Sequence, residues 1–196
     1  MPHTTESDRI EAVTPARTRR SDARRNEQAL LEAAARVFAD SGIDAPVRLI
    51  ASEAGMGMGT IYRHFPSRAE LIAAVYRHQV DACVDLGETL LQDGSQPFTA
   101  LREWIDAFVD FLATKHGLAT VRTQDESSSS LHDYFLDRLV PICDRLLAAA
   151  RGNGEITAEI TGYELMRGIG NLCLFAGDDG RYDARKLTHL LLAGTR

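Results

Sequence analysis

Between Gly57 and Arg68 the chain reads GMGTIYRHFPSR, and few stretches of its length concentrate so many groups able to grip a ligand. Thr60 and Tyr62 offer hydroxyls, Arg63 and His64 offer nitrogen donors, and Gly57 and Gly59 leave the backbone bare. Ile61 and Phe65 have the spacing of an inward face. Such a set suits the opening of a helix that lies against DNA, where small or polar residues meet phosphates and base edges. On residue chemistry alone, Thr60, Tyr62 and His64 fit a solvated helical face equally well.

Catalytic chemistry finds no comparable foothold. There is no GxSxG, P-loop or HExxH, and His116, His132 and Asp133 are too loosely disposed for a metal site. We therefore expect no catalytic residue, no cofactor and no metal. Cys83, Cys143 and Cys173 form no CxxC pair and read as buried free thiols in a reducing cytoplasm. A thiol-based redox regulator working through Cys143 or Cys173 stays open as the alternative, although Arg145 is the one basic residue close by.

The net charge of −6 opposes nucleic acid as a partner until it is divided. Residues 1–68 carry 10 Lys/Arg against 9 Asp/Glu, whereas 69–196 carry 12 against 19. Between positions 17 and 25, Arg17, Arg19, Arg20, Arg24 and Arg25 face Asp22 alone. This basic segment has two readings, an arm that reaches an adjacent groove and a solvated tail. The acidic second half keeps its own surface off DNA. No apolar run approaches the roughly 18 residues of a membrane span, and no signal-peptide order is visible, so a cytoplasmic location without membrane contact is expected.

The elements that must position the polar patch are all helical. Residues 1–21 read as a flexible arm, and Leu30, Ala33, Ala34, Val37 and Phe38 carry a first helix that Gly42 ends. Pro46 opens a second at its first turn, with Asp44 as a substitute cap. Gly55–Gly57 is a turn, and Gly59–Phe65 a third helix that Pro66 stops. Two short helices about a glycine turn spell helix-turn-helix. Ser67 and Glu70 form a capping box for a long fourth helix to about Leu91, roughly 35 Å at 1.5 Å per residue.

Further helices follow. One is closed by Lys115, His116 and Gly117; Asp125–Ser130 is a loop; the next helix is expected to kink at Pro141. Thr161 and Glu164 cap a helix to about Ala176, 177–180 is a turn, and Asp183 caps the last helix. The expected organisation is all-α: a basic arm at 1–21, a three-helix DNA-binding unit at 22–66, and an effector-binding and dimerisation unit at 67–196.

The run IASEAGMGMGTIYRHFPSRAELIAAVY, within residues 24–76, resembles the DNA-binding region of the TetR family of bacterial repressors. Its AG, short turn and T-x-Y-x-H-F series match that family's pattern. ALREWIDAFVDFLATKHGL and the helices after it are similar to the SbtR-like effector domains. The resemblance implies phosphate contacts from Thr60, Tyr62, His64 and Arg68, with the Gly59 amide nearby and Arg48 at the start of the second helix. Met58 and Arg63 would lie nearest the bases. Many relatives carry Ser or Thr where this chain has Ala45 and Pro46, so one hydroxyl contact is missing.

It further implies a ligand-responsive regulator, most often a repressor, that binds double-stranded operator DNA as a homodimer and is released by a small-molecule effector. The last two helices would pair across the dimer through Gly168, Leu172, Leu187 and Leu190. Trp104, Phe108, Phe111, Tyr134 and Phe135 supply aromatics that either enclose the effector or simply fill the core.

Overall fold

The computed structural model describes residues 15–119, 126–174 and 181–196, and within them eight helices and no strand. They are α1 (Pro15–Ser41), α2 (Val47–Glu53), α3 (Met58–His64), α4 (Arg68–Gln92), α5 (Pro97–Ala119), α6 (Glu126–Gly152), α7 (Gly162–Cys173) and α8 (Ala184–Ala193). No helix among the described residues is long and apolar enough to cross a membrane.

Several ends differ from the sequence expectation. The helix α1 begins at Pro15, so 15–21 continue it and are not part of a loose arm; proline suits a first helical turn, and alanine and arginine propagate a helix well. Residues 1–14, which hold the rest of that arm, lie outside the described residues, as does the turn expected at 177–180. The expected DESSSS loop is helical from Glu126, and its composition, an acidic residue followed by serines, is one that a helix N-terminus favours. Gly117 lies inside α5 and does not end it. Pro46 occupies the N-cap of α2 with no side-chain cap, so Asp44 does not replace the missing hydroxyl.

Other signals appear as read. Ser67 and Glu70 exchange both bonds of a capping box at α4, and Thr161 and Glu164 do so at α7. Gly42 and Gly55 follow α1 and α2 with φ of 76° and 63°, the left-handed conformation that glycine adopts without strain.

Two cores result. Leu30, Ala34 and Phe38 of α1 meet Ile50, Ile61, Phe65, Leu71 and Val75 in a small head core, so the first turns of α4 belong to the head as well as to the body. From Tyr76 onward α4 enters the larger core built with α5, α6, α7 and α8. The two are joined by one continuous helix, and α1 also rests on α4 and α5 with a cleft of about 600 Å³ between them. At the centre of the body Trp104 is fully buried and donates its indole N–H to the Cys83 carbonyl at 2.9 Å. On the far side, Arg185 and His189 of α8 reach Asp106 of α5 at 2.9 and 2.8 Å, fastening the last helix to the body.

Candidate nucleic-acid interface

The reading head is built from α2, the glycine turn and α3. After Gly55 turns the chain, the Met56 amide donates to the Ala51 carbonyl at 2.9 Å, and Gly57 takes the N-cap of α3 with no side-chain cap. Ile61 and Phe65 are buried in the head core, as their spacing requires. The helical period then forces the residues between them outward: Met58 and Tyr62 are 44% and 47% exposed, and Gly59, Thr60, Arg63 and His64 are exposed too. Arg48 is exposed on α2.

The glycines carry a separate signal. A Cβ built on Gly57 or Gly59 meets nothing within 4 Å, and neither residue has a positive φ. Nothing described in the chain excludes a side chain there. A bare backbone on an exposed face is what close approach of another molecule requires.

Arg68 differs from its neighbours. Its Nη2 donates to the Ala45 carbonyl at 2.9 Å and to that of Ile43, with the guanidinium 5.9 Å from the Phe38 ring centroid. It is half-buried and fastens the α1–α2 loop to α4. Sequence spacing could not reveal this inward turn, because the accepting carbonyls lie 23 and 25 residues earlier. A shallow hollow beside α3 also includes Asn26 of α1, which no motif singled out, together with Thr60 and His64. Arg36 of α1 reaches Glu53 of α2 at 2.9 Å and braces the head from the other side.

In the body, the five expected pocket aromatics are divided. Phe108 and Phe135 line a cavity of about 220 Å³ between α5, α6 and α7. Trp104 and Phe111 are buried outside this cavity, Phe111 packing on Tyr76 with ring centroids 5.5 Å apart and bordering the cleft between α1, α4 and α5. Tyr134 donates its hydroxyl to Asp81 at 2.7 Å. The residues that sequence reasoning missed come chiefly from α7, where Tyr163, Met166 and Arg167 form one wall.

Of the expected dimer residues, Leu187 and Leu190 are exposed, with Leu191 beside them on the same face of α8. Gly168 faces α8 of its own chain, 3.8 Å from Leu191 Cδ2 by its would-be Cβ. Leu172 is half-buried, and its carbonyl accepts the Tyr182 hydroxyl at 2.6 Å.

All three thiols are buried. Burial, with Asp110 nearby, pushes Cys83 up to about 12; burial and Asp144 raise Cys143 further; and burial raises Cys173 despite Arg185. Thiolates are the reactive form, so burial and the raised pKa values disfavour reaction at all three in the folded protein. Iodoacetamide at pH 8 is expected to leave all three unmodified in buffer and to alkylate them in denaturant; rapid labelling of the native chain would restore the redox alternative. Among the described residues no three His, Cys, Asp or Glu side chains are grouped to hold a metal.

Comparison with known proteins agrees with this geometry. Residues 30–75 match the model of bacterial regulatory proteins of the tetR family, and residues 96–196 match the C-terminal domain of SbtR-like transcriptional regulators. A TetR transcriptional regulator of Streptomyces coelicolor is 34% identical, covering 87% of this chain and 98% of that one with a TM-score of 0.72. One from Mycobacterium vanbaalenii is 28% identical over 90% of this chain and 98% of that one, TM-score 0.66. An HTH-type transcriptional regulator of Staphylococcus aureus is 29% identical over 93 residues, 47% of this chain and 50% of that one, so the chain spans about half the length of the curated relatives it matches. With its helix-turn-helix head and its helical C-terminal domain both matched, the chain belongs to the TetR family of DNA-binding transcriptional regulators.

Proposed function

We propose that the protein is a repressor that binds its operator as a homodimer and is released by a small-molecule effector. The observation that carries DNA recognition is the exposed face of α3, with Met58, Thr60, Tyr62, Arg63 and His64 around two glycines that the fold itself does not require. In this reading Thr60, Tyr62, His64 and the Gly59 amide grip phosphate, Arg48 adds a contact from α2, and Met58 and Arg63 meet base edges. Arg68 serves the same surface indirectly, by holding the loop that aims α2.

Release follows from the joint between head and body. One helix, α4, contributes to both cores, and the cleft between α1, α4 and α5 leaves the head room to tilt. An effector in the cavity between α5, α6 and α7 acts by binding one spacing of the two heads more tightly than the other; its leverage equals that difference in affinity and no more. The exposed leucines of α8 supply the dimer face, since an apolar patch on a helix anchored from its other side calls for a partner.

Substitutions in α3 separate the roles. Tyr62→Ala and His64→Ala are expected to weaken binding to all duplexes about equally. Arg63→Ala is expected to relax base preference at one position of each half-site, a change of about 1–3 kcal/mol in discrimination. Binding measured on a panel of single-base operator variants reads the difference; an equal loss of preference in all three variants contradicts the assignment.

A further inference from the structure

The cavity between α5, α6 and α7 carries a chemical bias. Its interior is apolar, walled by Phe108, Leu112, Phe135 and Met166. Its polar lining, at the exposed rim, is His132, Tyr163, Arg167 and Asn171, all able to donate and one of them, Arg167, unable to accept. Among the described residues no Asp or Glu lines it, in a chain with 28 acidic residues and a net charge of −6.

Arg167 is the centre of that bias. Arg138, Arg145 and Arg185 of the same half each meet a carboxylate; the exposed Arg167 meets none among the described residues, nor do Arg102 and Arg151, but of these three Arg167 alone borders the cavity. Glu164, one turn earlier on α7, is committed to the Thr161 capping box, its Oε2 accepting from the Thr161 amide at 2.9 Å. A planar guanidinium beside an apolar cavity, with no carboxylate of its own, matches a carboxylate ligand in geometry as well as charge.

We infer that this cavity binds a small apolar carboxylic acid, its hydrocarbon body between Phe108, Phe135 and Met166 and its carboxylate on Arg167, with Tyr163 and Asn171 as further donors. The volume of about 220 Å³ falls below the roughly 300–1,000 Å³ of drug-sized sites, so the buried body is that of a medium-chain or single-ring acid. A neutral body of equal size gains the apolar contacts and at most a weaker hydrogen bond from Arg167, and a cationic one is repelled by it. This deepens the effector reading and rests on it only for the regulatory consequence of binding.

The test is calorimetric titration of the full chain with octanoate, octanol and octylammonium at pH 7.5 and constant salt. Octanoate is expected to bind at least about tenfold more tightly than either chain-matched control. Arg167→Gln is expected to bring octanoate to the level of octanol. Gly170→Leu fills the cavity from a position where a Cβ meets nothing within 4 Å, and is expected to abolish octanoate binding in a chain of unchanged helicity. Octylammonium binding as tightly as octanoate, an unchanged octanoate affinity in Arg167→Gln, or no binding of any of the three overturns the proposal. Operator release by octanoate is read separately: binding without release keeps the site and removes its role as the effector pocket.

Discussion

Leu190→Glu is expected to convert the protein to monomers and to lower its operator affinity by about a thousandfold or more. The helix α8 is held from one side: Ala184, Thr188 and Leu192 are buried, and Arg185 and His189 reach Asp106. Its other side shows Leu187, Leu190 and Leu191 at i, i+3 and i+4, with Leu190 60% exposed. A carboxylate there meets water in the monomer and costs little internal packing, since most of the side chain is exposed. In the proposed dimer it is desolvated against a leucine face and against its own symmetry mate, a burial that an unpaired charge does not tolerate. A single helix-turn-helix head retains little beyond the sequence-independent attraction of phosphate, and specific sites typically exceed that by about 10³–10⁷. Light scattering on a sizing column and fluorescence anisotropy with operator DNA check both parts. Persistent dimers would move the interface off α8.

The second large effect is on stability. A Cβ at Gly87 of α4 would overlap Ile142 Cγ2 of α6 and stand 3.0 Å from Trp104 Nε1 of α5. Three helices meet at that point because this residue has no side chain. Gly87→Ala should therefore destabilise the protein by about 1–3 kcal/mol, against the usual gain from replacing a helical glycine by alanine. Trp104→Ala should cost about 3–5 kcal/mol, since the ring is fully buried and stacked on Phe108 with centroids 5.7 Å apart. Urea unfolding measures both. A neutral or stabilising Gly87→Ala would mean that α4, α5 and α6 are not so closely packed.

The Trp104 and Gly87 contact also shows what a sequence cannot display. Helical spacing correctly marks Trp104, Phe108, Phe111, Tyr134 and Phe135 as members of aromatic stripes, but a stripe has no label for the level at which a third helix leaves room. Phe108 and Phe135 border a cavity because α7 crosses beside them, while Trp104 lies where α4 comes close at Gly87. Tyr134 is drawn to Asp81, a residue 53 positions away. Arg68 is a parallel case: its motif position is legible, but its carbonyl partners across the loop are not.

Signals completed within a few residues were readable. The capping boxes at Ser67 and Thr161, the left-handed Gly55, and the inward Ile61 and Phe65 each depend on chemistry within one or two turns. Gly117 and the serines after Glu126 misled because composition alone does not separate a break from a glycine tolerated inside a helix or from a helix start. The exposed wall of α7 was missed for a related reason: Tyr163 and Arg167 look like a solvated face until α5 and α6 are set beside them.

The most direct measurement of dimeric, sequence-specific recognition is selection of bound sequences from random duplex DNA by the purified protein at near-physiological salt. Two copies of the α3 face, related by a two-fold axis, should enrich a palindromic motif whose half-sites are separated by about one helical turn or a multiple of it. Enrichment of a single unrepeated element, or no enrichment by a protein whose helices are intact, would contradict it.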